Sequence, residues 1–157
     1  MRQTLHLFVV HLYVVMVALL GAMGPLACAF GEFRPNDPLQ RQLSLEEQHK
    51  TYSDYVRWSK FEQASQFVDE AVRSDYYAAM PSFDDVRFTD WEAMPWTLTD
   101  EELSKATIEV TYRGYSTRSM IEVAVHERQE WSRIDGNTWS LRSSFRDLDR
   151  LAAQSGR

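Results

Sequence analysis

The chain has little of what usually holds small secreted or metal-binding domains together. Cys28 is the only cysteine among 157 residues, which excludes an intramolecular disulfide and a cysteine pair for zinc. The sequence also lacks an HExxH motif and an Asp-rich calcium loop. We therefore expect no metal site and no cofactor, and a fold that depends on its hydrophobic core.

The usual sequence signatures of catalysis and of nucleic-acid binding are also missing. The six glycines form no glycine-rich phosphate loop, and no nucleophile elbow is present. Lysine and arginine number 17 against 23 acidic residues, giving a net charge of −6. An acidic chain is a poor candidate for a nucleic-acid partner. What the chain does have is 44% hydrophobic and 13% aromatic residues, which is enough for a packed core.

One long apolar segment lies near the N-terminus. It follows the basic residue Arg2 and runs from Leu5 to Leu20. Smaller residues come next, and the segment ends near Cys28. This order is typical of a secretory signal peptide. A lone cysteine at its boundary resembles the acylation site of bacterial lipoprotein precursors. The resemblance implies that Cys28 carries fatty acids such as palmitate, and Ala29 after it implies delivery to the outer membrane.

Two other interpretations of this segment remain open. Ala27-Cys28-Ala29 has the small-x-small form of an ordinary cleavage site, which would release a soluble periplasmic chain beginning at Phe30. The segment is also long enough to stay as a single-pass anchor, since about 20 apolar residues cross a bilayer. All three interpretations place the mature chain in the cell envelope, facing the periplasm. They divide it into a signal peptide or anchor (1–28), a tether (29–43) and one domain (44–157).

The first part of the domain has the period of amphipathic helices. Ser44 with Glu47 forms a capping box, and Ser59 with Glu62 forms a second one. Apolar residues follow each box at three- and four-residue steps. We predict two helices separated by a turn near Trp58, and a short helical piece over residues 74–80.

From residue 84 onward the apolar period changes to two, which predicts strands. The predicted apolar faces comprise Val86, Phe88 and Trp91; Ile108, Val110 and Tyr112; Ile121, Val123, Val125 and Trp131; and Trp139 and Leu141. Asp135-Gly136 is a hairpin signal, and His126 is expected on the solvent face. Helices followed by an antiparallel meander predict an α+β fold, with N-terminal helices packed on a curved antiparallel sheet of about four strands.

Several local stretches together resemble a protein family. They are Tyr55-Val56-Arg57-Trp58, Phe61-Glu62-Gln63-Ala64, Val86-Arg87-Phe88-Thr89-Asp90, Ala106 to Tyr112, Arg128-Gln129-Glu130-Trp131 and Asp135 to Leu141. This succession is similar to uncharacterised bacterial envelope proteins with the nuclear-transport-factor-2-like, or cystatin-like, cone fold. The resemblance covers about residues 44–145 and implies a helical layer closing a bent sheet. That fold hosts enzymes, binding proteins and assembly proteins, so it implies no activity.

The best catalytic trio that the sequence offers is Asp90, Tyr112 and His49. Enzymes of the cone fold often use a carboxylate with Tyr or His inside the cone, although the spacing of these three residues defines no known motif. We expect a non-enzymatic, membrane-tethered envelope protein acting as a binding or assembly module, with an envelope protein as a possible partner. The alternative is a small cone-fold enzyme, a hydrolase, isomerase or dehydratase. An interior filled by aromatic rings would favour the first function, and an open pocket holding Asp90 or His49 would favour the second.

Overall fold

The structure, a computed structural model, describes residues 37–146, 148 and 151. The apolar segment from Leu5 to Leu20, Cys28 and the first part of the expected tether lie outside the described residues. Within the described part, no helix is both long and apolar enough to cross a membrane.

Helices come first in the chain, and they are irregular after the first one. Helix α1 packs its buried residues Leu45, Tyr52 and Val56 toward the sheet, at steps of seven and four residues that keep them on one face. The helical elements are α1 (Pro38–Arg57), α2 (Phe61–Ala64) and α3 (Arg73–Ala79), with 3-10 turns at Ser65–Phe67, Glu70–Val72 and Met80–Phe83.

Two predicted helix starts were wrong. Helix α1 begins at Pro38, where the Asp37 side chain accepts a hydrogen bond from the Leu39 amide at 3.0 Å, so six residues assigned to the tether are helical. Ser44 lies inside α1, and its hydroxyl donates to the Arg41 carbonyl. Ser59 caps no helix start either. It ends α1 in a left-handed conformation (φ 55°).

The sheet has four antiparallel strands in the order β1-β2-β3-β4, so each strand pairs with its neighbour in sequence. This confirms the predicted α+β fold, with helices before a curved antiparallel sheet. The hairpin predicted at Asp135-Gly136 is present, with Gly136 at φ 50°. The strands are β1 (Val86–Ala93), β2 (Lys105–Ser116), β3 (Glu122–Asp135) and β4 (Thr138–Arg146).

The core lies between α1 and one face of the sheet. Its largest rings are Trp131, Tyr52, Tyr112 and Phe83, and Trp139 is 3% exposed. Most of the residues predicted to lie on the core face of the strands are buried. Ile121 is the exception, because it precedes β3 and is 54% exposed.

Candidate functional site

The most unusual feature of the core is a pair of polar side chains on β3. Along the inward face of this strand, Glu127 and Gln129 occupy the positions between Val125 and Trp131. Both polar side chains are 0% exposed. A buried carboxyl group is costly unless its oxygens are hydrogen-bonded, so its partners decide whether it is structural or reactive.

Four donors converge on the Glu127 carboxyl group. Oε1 accepts from the Tyr52 hydroxyl at 2.5 Å and also from the Ser143 hydroxyl. Oε2 accepts from the Tyr112 hydroxyl at 2.9 Å and from Nε2 of Gln129 at 2.7 Å. A carboxylate has about four lone-pair positions, so the acceptor capacity of Glu127 is filled.

Burial controls the protonation of this cluster. Loss of water raises the pKa of Glu127, an effect that the four donors only partly oppose. Burial also raises the pKa of the Tyr52 and Tyr112 hydroxyls, and the nearby Glu127 carboxyl group raises it further. Both tyrosines therefore stay protonated at neutral pH and act as hydrogen-bond donors, so neither supplies a nucleophile or a base.

Gln129 links the carboxyl group to His49 on α1. Its Oε1 accepts from Nε1 of Trp131 at 3.0 Å and lies 2.9 Å from Nδ1 of His49. Because a carbonyl oxygen only accepts, the proton of the neutral imidazole is on Nδ1. Burial lowers the pKa of His49, while the hydrogen bond to Gln129 opposes this. The ring packs edge-on against Trp91, with centroids 5.4 Å apart.

The catalytic trio proposed from the sequence is only partly brought together. Tyr112 and His49 both reach Gln129, whose Nε2 is 3.4 Å from the Tyr112 hydroxyl. Asp90 is exposed on β1, next to an irregularity in the strand pairing, opposite Arg113. Asp90 is therefore displaced from the buried cluster, and Glu127 is the carboxyl group that Tyr112 contacts.

Sequence reasoning missed the central members of this cluster, although a signal for two of them was present. Val125 and Trp131 were assigned to one face of β3, and positions 127 and 129 have the same parity. A glutamate and a glutamine on the core face of a strand indicate a buried polar network. No pattern along the chain shows that Tyr52 and Ser143 supply the remaining donors, because they lie 75 and 16 residues from Glu127.

A second candidate site is a surface cleft at the C-terminal end of α1. Its volume is about 470 Å³, within the ~300–1,000 Å³ typical of ligand pockets. Trp58, which is 62% exposed, forms one part of the wall, and the Arg57 guanidinium lies 4.9 Å above its ring. The lining residues are Arg57, Trp58, Ser59, Arg87, Phe88, Thr89 and Tyr115.

Neither site resembles a metal centre. Within residues 37–146, 148 and 151, no group of three or more His, Cys, Asp or Glu side chains is arranged to hold a metal ion.

In comparisons with known proteins, no protein-family model, no curated protein and no solved structure matches this chain. The similarity to nuclear-transport-factor-2-like envelope proteins thus stays a prediction, and function has to be inferred from the geometry.

Proposed function

We propose that this protein is a non-enzymatic binding or assembly module of the bacterial cell envelope, held at a membrane by its N-terminal segment. The observation that carries the proposal is the state of the interior. Glu127 is fully buried and its carboxyl oxygens are occupied by four protein donors. A catalytic carboxyl group has to reach substrate, whereas this one holds the core together.

The side chains that would line a cone-shaped active site fill the interior instead. Tyr112, Trp131 and Trp139 are all buried, and Trp91 is half-buried with its Nε1 donating to Asp54 at 2.9 Å. Binding surfaces are then left to the outside of the domain. The alternative, a small enzyme using Tyr112 and His49, requires this packing to open.

Hydrogen exchange at the Trp131 indole distinguishes the two functions. The Trp131 Nε1 proton is buried and bonded to Gln129, so a closed interior should retain it for hours in deuterated buffer, whereas the exposed Trp58 indole should exchange at once. The full-length protein in neutral detergent, with ¹⁵N-labelled tryptophan, gives both signals in one spectrum. Rapid exchange at Trp131 would favour the enzyme.

The membrane tether rests on the order of residues before Cys28, and it has a separate test. Intact-mass analysis of the mature protein from bacterial membranes should find diacylated or triacylated Cys28 at its N-terminus. A chain beginning at Phe30 would remove the tether, and an unprocessed chain would show that the segment is retained as an anchor.

A further inference from the structure

We propose that the cleft beside the end of α1 binds an oxyanion, a carboxylate or a phosphate, carried on an apolar or aromatic group. This inference rests on the proposed function, because it names the ligand class that the binding module takes. The site combines two arginines, three hydroxyl groups and three aromatic rings, Tyr115 supplying both a hydroxyl and a ring, in one concave surface.

The charge of the cleft is opposite to that of the chain. Acidic residues outnumber basic ones by 23 to 17 overall, yet the lining holds Arg57 and Arg87 and no acidic residue. Elsewhere on the sheet arginines are paired, as Arg113 is with Glu92 at 2.8 Å. Among the described residues, neither Arg57 nor Arg87 has an acidic partner. Two unneutralised guanidinium groups attract and orient an anion.

Arg57 is held ready for such a contact. Its guanidinium carbon lies 4.9 Å from the centre of the Trp58 ring, a cation–π contact that restricts the positions of the side chain. Its Nε is buried and has no hydrogen-bond partner within the described chain. An unsatisfied buried donor costs free energy, which a ligand oxygen accepting from it would recover.

The end of α1 fixes the aromatic side of the cleft. The amides of Ser59 and Lys60 donate back to the carbonyls of Val56 and Tyr55 at 2.9 and 2.8 Å. This is a Schellman ending, with Ser59 in the left-handed position. The backbone under Trp58 is therefore held in place, and the exposed ring offers a surface against which the apolar part of a ligand can pack.

The opposite wall is held just as firmly. Arg87 on β1 pairs with Tyr115 on β2, directly after the Gly114–Phe88 pair. At Gly114 the two strands approach so closely that a Cβ atom would lie 2.2 Å from the Arg87 carbonyl oxygen. The cleft is thus bounded by rigid backbone on both sides, which limits the ordering that binding has to impose.

Phenyl phosphate is a suitable probe because it joins an oxyanion to one ring. We expect it to shift the Trp58 indole signal of the ¹⁵N-tryptophan-labelled full-length protein and to leave the buried Trp131 signal in place. A Trp58→Phe variant assigns the signal. Phenyl phosphate should bind about two- to tenfold more tightly than inorganic phosphate, because the ring adds stacking. Phenol at the same concentration should cause no saturable shift.

Arginine variants test the assignment of the anion site. Arg57→Gln and Arg87→Gln should each raise the Kd for phenyl phosphate about tenfold or more, the usual effect of removing a charged hydrogen bond. Arg142→Gln is the matched control, since Arg142 is an exposed arginine on β4 outside the cleft. It should leave the Kd within about twofold. Melting curves confirm that all three variants fold.

Two further probes identify the source of the oxyanion. Benzoate stands for a carboxylate, and dihexanoyl phosphatidic acid below its micellar concentration stands for a lipid phosphate. Saturable binding of either at Trp58, weakened by Arg87→Gln, supports the site. An absence of shift with every oxyanion, or equal weakening by Arg142→Gln, would overturn it.

Failure of this inference is distinct from failure of the proposed function. If oxyanions do not bind but Trp131 stays protected from exchange, the binding module stands and its ligand is of another class. If Trp131 exchanges rapidly while phenyl phosphate still binds at Trp58, the anion cleft stands and the non-enzymatic function falls.

Discussion

At the scale of single residues, Glu127 is a buried side chain on which four hydrogen-bond donors converge. All the contacts that hold its carboxyl group come from neutral donors. Burial raises the pKa of this carboxyl group, because charge without water or a cationic partner is costly. The stability of the domain therefore depends on keeping the shape and acceptor capacity of the group rather than its charge.

Substitution of Glu127 separates shape from charge. Glu127→Leu leaves the buried hydroxyls of Tyr52 and Tyr112 without their acceptor and should reduce the free energy of unfolding by about 3–5 kcal/mol. Glu127→Gln keeps the shape and removes the charge. In the wild type the folded-state pKa of Glu127 is raised, so the domain loses stability as pH rises from about 4.5. The glutamine variant should gain relative to wild type over that rise.

Urea unfolding at several pH values measures both effects. Glu130→Leu is the control, since Glu130 lies on the exposed face of the same strand and should change stability by about 0.5 kcal/mol at most. Equal losses at positions 127 and 130 would contradict the buried network.

His49 gives the domain a pH dependence of the opposite sign. Burial lowers its pKa below 6.5, so as pH falls the unfolded chain binds a proton more readily than the folded chain does. The stabilising effect is complete above about pH 6.5 and is lost as pH falls toward the lower, folded-state pKa. Wild type should therefore lose more stability between pH 7 and pH 5 than His49→Gln. Parallel stability curves for wild type and His49→Gln would contradict the lowered pKa of His49.

At the scale of secondary-structure elements, β1 and β2 approach each other closely at Gly114. A Cβ atom there would meet the Arg87 oxygen at 2.2 Å and the Phe88 Cα at 2.8 Å, and neither can rotate away. Gly114→Ala should therefore cost about 1–3 kcal/mol or more. Gly136→Asn is the comparison, because Gly136 has open space around it and a left-handed φ that asparagine tolerates. Thermal melting should show a clear loss for the first variant and little for the second.

The two faces of the sheet predict another contrast. Trp139 on β4 is buried, and its Nε1 donates to Ser44 at 2.9 Å. His126 on β3 is exposed and lies 3.0 Å from the Thr111 hydroxyl. Trp139→Ala should destabilise the domain by about 3–5 kcal/mol, whereas His126→Ala should change stability by no more than about 0.5 kcal/mol. Similar melting points for the two variants would mean that the register is wrong.

The sequence was sufficient for the strands and insufficient for the helix boundaries. Alternation located β2, β3 and the hairpin after Asp135, because a period of two has few competing explanations. The start of α1 was missed because Pro35, Asn36 and Pro38 are residues typical of turns and irregular structure. Pro38 is in fact at the first helical position, where a missing amide costs nothing.

The prediction for the residues after α1 was wrong for a different reason. The apolar residues from Phe61 to Val72 were assigned to one amphipathic helix. The structure has one short helix and two 3-10 turns there, and Val68 forms a bridge to Leu141 on β4. That pairing joins residues far apart in the chain, so no local period contains it. The buried cluster was missed on the same grounds, since its hydroxyl donors come from three different elements.

At the scale of the whole molecule, the two candidate sites have different roles. The interior cluster joins α1 to strands β2, β3 and β4 through Glu127 and Gln129. The cleft uses only the end of α1 and the β1–β2 pair. Changes that alter binding at the cleft therefore need not affect the stability of the core, which is the separation that a binding module requires.

The contacts of α1 also bear on how the chain folds during synthesis. Its polar anchors are all distant: Ser44 and Gln48 bind Trp139, Tyr52 binds Glu127, and Asp54 binds Trp91. The sheet, in contrast, is built from successive hairpins that close rapidly. In proteins a helix owes most of its stability to the packing of its apolar face. A chain that emerges N-terminus first therefore presents the apolar stripe of α1 unprotected until the last strand has followed, an interval in which exposed apolar surface favours aggregation.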